Sequence, residues 1–268
     1  MFYDQTDYAI RFEWGARGVD VLAACSEVVI IVDVLSFSTC VDIATARGAV
    51  ILPYQWRDAS ADTYARENHA LLASKTRRFA GEHSLAPTSL LTIKAGTRLV
   101  LPSPNGSTLT MRAAASAVTL TGCLRNAHAV ATLAQTLGHT IAVIACGEQW
   151  EDGSLRPAFE DMLGAGAIIK GLAADCSPEA LAAVAVFEQC HADLPGILKR
   201  CASGKELIER GFEADVVLAG QLDVSQSTPL LQAACYIDYW RASSLPALQQ
   251  TPASGTGQSS CQGLAGEE

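Results

Sequence analysis

Basic residues are scarce in this 268-residue chain: 19 Lys and Arg stand against 28 Asp and Glu, a formal charge of −9. Nucleic-acid surfaces need clustered cations to displace counterions from phosphates, so no nucleic acid is expected among the partners. Long apolar runs are missing as well. No stretch approaches the roughly 20 uninterrupted apolar residues that span a bilayer, so no membrane span is expected. Asp4, Asp7, Arg11 and Glu13 occupy the start of the chain, where a secretory signal needs an apolar segment. The nine cysteines occur singly and in odd number, with no CxxC and no Cys/His ligand spacing. That pattern predicts free thiols in a reducing, cytoplasmic compartment rather than disulfides. His69, His83, His128, His139 and His191 are not at metal-ligand spacing either. The Walker A pattern GxxxxGK[ST] is absent, which argues against a nucleoside triphosphate as substrate.

Apolar residues, in contrast, make up 49% of the chain, enough for a substantial core in one large domain or two small ones. Glu27–Asp33, Ala49–Tyr54, Arg98–Leu101, Ala117–Thr121, Thr140–Ala145 and Asp215–Leu218 read as strands separated by Ala-rich helical runs. Continuous runs such as VVIIVD and IAVIAC, without strict alternation, predict strands buried on both faces. The fold class is therefore α/β, a three-layer α/β/α arrangement around a mainly parallel or mixed sheet. Val28 to Val50 and Ile141 to Ile169 share a plan of strand, acidic loop and helix with a Gly-Ala pair, which raises the possibility of an internal duplication. Arg57 to Thr97 is more polar and supplies loop material, RRFAGEHSLAPTS, suited to covering a site. Residues 1–242 form the expected domain, and 243–268, rich in Ser, Gly, Gln, Thr and Pro, an expected disordered tail.

In a parallel α/β sheet ligands sit beyond the carboxyl ends of the strands, so the residues after each apolar run are the candidates. Asp33, Ser36, Ser38 and Thr39 follow the first run; Ser103, Asn105, Gly106 and Ser107 follow the third. Arg125 and Glu148 follow two more, with Arg156, Glu160 and Asp161 close behind. The SPNGST run reads as a phosphate cradle, since Gly lets backbone approach a ligand and free amides at a helix start attract anions; a Pro-Asn-Gly turn with a Ser cap fits equally. Asp33 is placed to hold a metal or attack phosphorus, and as a bland alternative to cap a helix. Glu148, Glu160 and Asp161 are hard oxygen ligands of the kind that suit Mg²⁺, although adjacent helical residues point about 100° apart. Arg125 and Arg156 are candidates to grip phosphate or a second acidic group. Cys40 and Cys146 lie beside the loops and define a rival, a thiol-dependent isomerase or hydrolase; buried cysteine as a small hydrophobe is the commoner role. Haloacid-dehalogenase phosphatases also begin with a strand-end Asp, but their second acid would fall at Leu35.

Seven segments in order, VVIIVDVLSFST, the Gly81-Glu82 loop, SPNGST, CLRNAHAVA, IAVIACGE, FEDMLGAGAII and EADVVLAGQLDVSQSTPLL, resemble the 2-phosphosulfolactate phosphatase (ComB-like) family from Val28 to about Leu231. The resemblance implies an Mg²⁺-dependent hydrolase linked to coenzyme M synthesis, acting on a small anionic phosphate ester. By similarity, Asp33, Glu82, Asn105, Gly106, Glu148, Glu160 and Asp161 are implied as metal-binding or active-site residues, with Asp33, Glu148 and Asp161 the catalytic candidates. The family loop commonly reads DVLRA, so Ser36 stands where an Arg is usual, and Arg156 is the candidate to restore that charge. Alongside the phosphatase and the thiol enzyme stands a non-catalytic small-anion-binding protein. A homodimer is an open expectation.

Overall fold

In the computed structural model, which describes residues 2–55, 58–74 and 82–243, the strands in chain order are β1 (Ile10–Trp14), β2 (Val28–Val32), β3 (Val50–Tyr54), β4 (Leu71–Leu72), β5 (Arg98–Pro102), β6 (Val118–Gly122), β7 (Ile141–Ala145), β8 (Glu148–Gln149), β9 (Leu155–Arg156), β10 (Pro229–Gln232) and β11 (Cys235–Asp238). The helices are α1 (Gly15–Leu22), α2 (Phe37–Ala46), α3 (Ala59–Glu67), α4 (Gly106–Ala113), α5 (Ala127–Leu137), α6 (Phe159–Lys170), α7 (Pro178–Cys190), α8 (Leu194–Arg200), α9 (Ala202–Glu209), α10 (Glu213–Ala219) and α11 (Tyr239–Ser243). Residues 244–268, nearly all of the expected tail, lie outside the described residues.

Nine strands form one mixed sheet in the order β1-β7-β2-β6-β10-β11-β3-β5-β4. β1, β7, β2 and β6 are mutually parallel, as are β3, β5 and β4. The β10–β11 hairpin pairs antiparallel with both blocks, touching β6 at Leu230–Leu120 and β3 at Tyr236–Ile51. Three antiparallel steps in a row reverse direction, so the two blocks run oppositely. β2 and β7, the strands of the two segments with a shared plan, are neighbours inside one block.

Successive side chains on a strand point to opposite faces, and this period builds the layers. In the first block Val28, Ile30, Val32, Ile141 and Val143 pack with α5, α6 and α7 on one face. Val29, Ile31, Ala142 and Ile144 pack with α1 and α4 on the other. In the second block Ile51, Leu99 and Leu101 face α2, while Leu52 and Val100 face the α3 side. Helices thus cover both faces, which is why the runs carry no polar alternation.

One expected strand is a helix: Asp215–Leu218 lies within α10. A four-residue apolar run carries no decisive period. Glu213 and Asp215 in the first turn favour the helix through its dipole, and Val216 and Ala219 bury one side. β1, β10 and β11 were not expected as strands. Among the described residues no helix is long and apolar enough to cross a membrane.

Candidate active site

Asp33 follows β2 directly and is 6% exposed. Its Oδ1 accepts from the Phe37 amide at 3.2 Å and its Oδ2 from the Gly106 amide at 3.0 Å. One carboxylate therefore holds the first amides of both α2 and α4. Gly106 lies only just beyond β5, whereas a flat sheet would put β2 and β5 about 24 Å apart, five spacings of ~4.8 Å. The contact requires the two blocks to fold towards each other across the hairpin. Gly106 must be glycine here, because a Cβ would fall 2.2 Å from Cδ1 of the Phe37 ring.

Asp161, on the first turn of α6, repeats the arrangement. Oδ1 accepts from the Val34 amide at 2.8 Å and Oδ2 from the Gly147 amide at 2.9 Å, tying the β2 and β7 loops to α6. Gly147 takes φ +68°, a left-handed conformation that glycine adopts without strain. Despite two amides, burial, then Asp33 and Glu160, hold the Asp161 carboxyl well above its ordinary value. Burial first and Asp33 next push Glu148 up to about 7, with Glu160 adding to the rise and Asn105 and Arg156 opposing it. Asp33, Glu148, Glu160 and Asp161 thus form one electrostatic group, with Arg156 acting on Glu148.

The expected phosphate cradle begins α4. Its N-cap, Asn105, makes no side-chain cap; Nδ2 instead donates to Glu148 Oε2 at 2.9 Å. The hydroxyls nearby serve the protein. Ser38 Oγ accepts from the Asp33 amide at 2.8 Å and lies 2.7 Å from Thr121 Oγ1. Thr39 Oγ1 donates to Val34 O at 2.8 Å and Ser107 Oγ to Leu101 O at 2.9 Å. Ser36 and Ser103 are buried, with the Ser103 amide donating to Tyr54 O. The expected hydroxyl contacts to phosphate therefore compete with bonds already made, whereas the start of α4 has no side-chain cap.

The two candidate arginines differ. Arg125 Nε donates to the buried Asp42 Oδ2 at 2.9 Å, and its Nη1 to Leu218 O and Gln221 Oε1. That geometry makes it a structural partner of α2 rather than a free phosphate ligand. Arg156 is half-buried, 5.8 Å over the Trp150 ring, with Nη2 3.4 Å from Ser203 Oγ. Glu82 is exposed, and Gly81 before it lies outside the described residues. Cys40 is fully buried. Burial, then Asp33, Asp161 and Glu148, hold the Cys146 thiol well above its ordinary value, which weakens it as a nucleophile at neutral pH. Sequence reading passed over Gly147 as an amide donor, although its place in the ACGE loop was a signal. It also passed over Arg200, Cys201 and Ser203, which sit in helical sequence with no motif.

Among the described residues no three His, Cys, Asp or Glu side chains converge into a metal shell. The donor chemistry nevertheless fits a hard divalent cation, since each carboxylate oxygen retains a lone pair and the mutual repulsion that raises Asp161 and Glu148 is relieved by positive charge.

The chain matches the family model for 2-phosphosulpholactate phosphatase over residues 20–234. It is also similar to a probable 2-phosphosulfolactate phosphatase of Gloeobacter violaceus, 30% identical over 141 residues, which cover 52% of this chain and 58% of that relative.

Proposed function

We propose that this chain, which belongs to the 2-phosphosulpholactate phosphatase family, hydrolyses a small anionic phosphomonoester of the 2-phosphosulfolactate kind, giving sulfolactate and phosphate. The observation that carries this reading is the joining of a helix start, which its own N-cap Asn105 leaves without a side-chain cap, to a carboxylate group, through Gly106–Asp33 at 3.0 Å and Asn105–Glu148 at 2.9 Å. Amides at the start of α4 attract the phosphate, and the acids stand beside it.

A magnesium ion held by one or two of the carboxylates Asp33, Glu160 and Asp161, with water and substrate oxygens completing its shell, would offset the phosphate charge at the reacting centre. Asp33 has an amide on each oxygen, which fixes its orientation and weakens it as a nucleophile, so water is the favoured attacking group. Glu148, pushed to about 7, exists in both protonation states near neutrality. It takes a proton from the attacking water and returns one to the leaving alkoxide. One P–O bond forms, the ester P–O bond breaks, and no further reactant is needed. Asn105 holds the Glu148 carboxyl in place, and Arg156 faces the rest of the substrate. The eight cysteines free among the described residues support a reducing, cytoplasmic setting.

The test is phosphate release from a panel of phosphomonoesters after exhaustive chelation, with Mg²⁺ or Mn²⁺ then restored. Release from 2-phosphosulfolactate that depends on the metal is expected. Full activity in the stripped protein overturns the metal role, and binding without release under all conditions identifies an anion-binding protein instead.

A further inference from the structure

Beside the acid group, a second cleft opens between the start of α6, β9 and the junction of α8 with α9. Its volume is about 230 Å³, and Arg156, Glu160, Arg200 and Cys201 are among its lining residues. That is the room of about seven or eight waters at ~30 Å³ each, and below the ~300–1,000 Å³ of pockets that enclose a whole drug-sized ligand. The cleft suits one substituent of a small molecule. Among the described residues neither Arg156 nor Arg200 is in an ion pair with a carboxylate, unlike Arg112, Arg125 and Arg210. Glu160, 2% exposed, lines the cleft beside Cys201, whose thiol donates to Leu198 O at 3.1 Å. Two guanidiniums and one carboxylate thus line the cleft.

We propose that this cleft is the subsite for a second acidic group, a carboxylate or sulfonate, carried by the same molecule as the phosphate and gripped by Arg156 and Arg200. The proposal rests on the phosphatase reading and deepens it. Glu160 connects the two places, since it lines the cleft and acts electrostatically on both Asp161 and Glu148. Glu148 also stands opposite Arg156 in the β8–β9 pair and accepts from Asn105 at the start of α4, so one residue links the cleft to the phosphate end. Arg156 is held for the task by Trp150 and Ser203, leaving its remaining donors for a planar or tetrahedral oxyacid. Arg200, the last residue of α8, is exposed and lines the same cleft from a different element, which makes it the second donor of the grip. Its position at the end of a helix gave the sequence no reason to single it out.

The experiment compares kcat/KM of the metal-loaded enzyme for 2-phosphosulfolactate, 2-phospholactate and the neutral-tailed glycerol 2-phosphate, in the wild type, Arg200→Gln and Arg156→Gln. Arg210→Gln, which removes an exposed charge paired with Glu206, is the control. Wild type should prefer the acid-bearing esters, and each cleft substitution should reduce that preference at least tenfold, mainly through KM; the control should keep it. A larger loss for 2-phosphosulfolactate than for 2-phospholactate assigns the cleft to sulfonate, and equal losses assign it to carboxylate. An unchanged preference in folded Arg200→Gln overturns the subsite while leaving the phosphatase standing. Absence of turnover on every ester overturns the phosphatase reading itself. In that case binding of sulfolactate, measured by calorimetry in wild type and Arg200→Gln, still decides the cleft: equal affinities overturn it and a tenfold loss upholds it.

Discussion

Two buried carboxylate sites lie at opposite ends of α2 and are built on different logic. Near its C-terminal half, Asp42 meets the Arg125 guanidinium at 2.9 Å. Burial still holds that carboxyl above its ordinary value, against the pull of Ser225 and Arg125. At the N-terminal end Asp33 and Asp161 receive four backbone amides, from Phe37, Gly106, Val34 and Gly147. The first site carries its countercharge inside the protein. The second orders its carboxylates with backbone amides from the loops after β2, β5 and β7, which gathers those loops at one place. The first is a closed side-chain pair, the second a group held by backbone.

The largest effect expected from breaking this contrast is at the closed pair. Arg125→Met should destabilise the fold by about 3–5 kcal/mol, because it leaves a buried carboxylate alone. Urea unfolding measures this, and adding Asp42→Leu should recover most of the loss. The folded variant should keep its KM for phosphate ester; a tenfold rise would return Arg125 to the substrate.

Asp33→Asn strikes the amide-held group. Turnover should fall about 10²–10³-fold, in line with removal of one electrostatic element from an active site. Stability should change less, because the remaining oxygen keeps one amide while the lost bond, worth about 1–3 kcal/mol, is offset by relief of repulsion on Asp161 and Glu148. Wild-type kcat in a folded variant would reduce Asp33 to a helix cap.

Glu148 sets a pH dependence with a definite sign. Its carboxyl titrates near 7 in the metal-free fold against an ordinary value of 4.5, so the native state binds more protons between those limits. The stabilisation is complete below about 4.5 and is lost as pH rises through about 7, on the order of 3 kcal/mol. Thermal melts of chelated protein should show that slope, and Glu148→Gln should flatten it. Mg²⁺ should bind more tightly as pH rises to 7, since the ion competes with the proton. A melting temperature independent of pH over this range would remove Glu148 as the proton carrier.

Cys146→Ser should have the smallest effect, a loss of stability below about 1.5 kcal/mol as for other near-isosteric core changes, with turnover retained. A dead but folded variant would revive the thiol mechanism.

Much of this was legible in the order of residues. Runs such as VVIIV and IAVIA, buried on both faces, announced covered strands because a chain that hides every side chain of a strand needs a layer on each side. The acids followed from the same rule, since whatever comes after such a run emerges at the sheet's edge; Asp33, Glu148, Glu160 and Asp161 were found that way. The run at Asp215 misled because four apolar residues fit either period, and only packing of Val216 and Ala219 decided for the helix.

What the sequence alone determined, then, was the kind of layer each segment builds and which residues reach its edge, because backbone periodicity and burial are local properties. The tertiary structure alone decided which of those residues meet. Gly106 reaches Asp33 from 73 residues away, and Arg125 finds Asp42 across 83. Ser38, Thr39 and Ser107 turn inward to bond the chain they sit on or beside. Those outcomes depend on how two oppositely running blocks fold across a hairpin, and the energy of a charge depends on the dipoles and ions that such folding brings within a few ångströms of it.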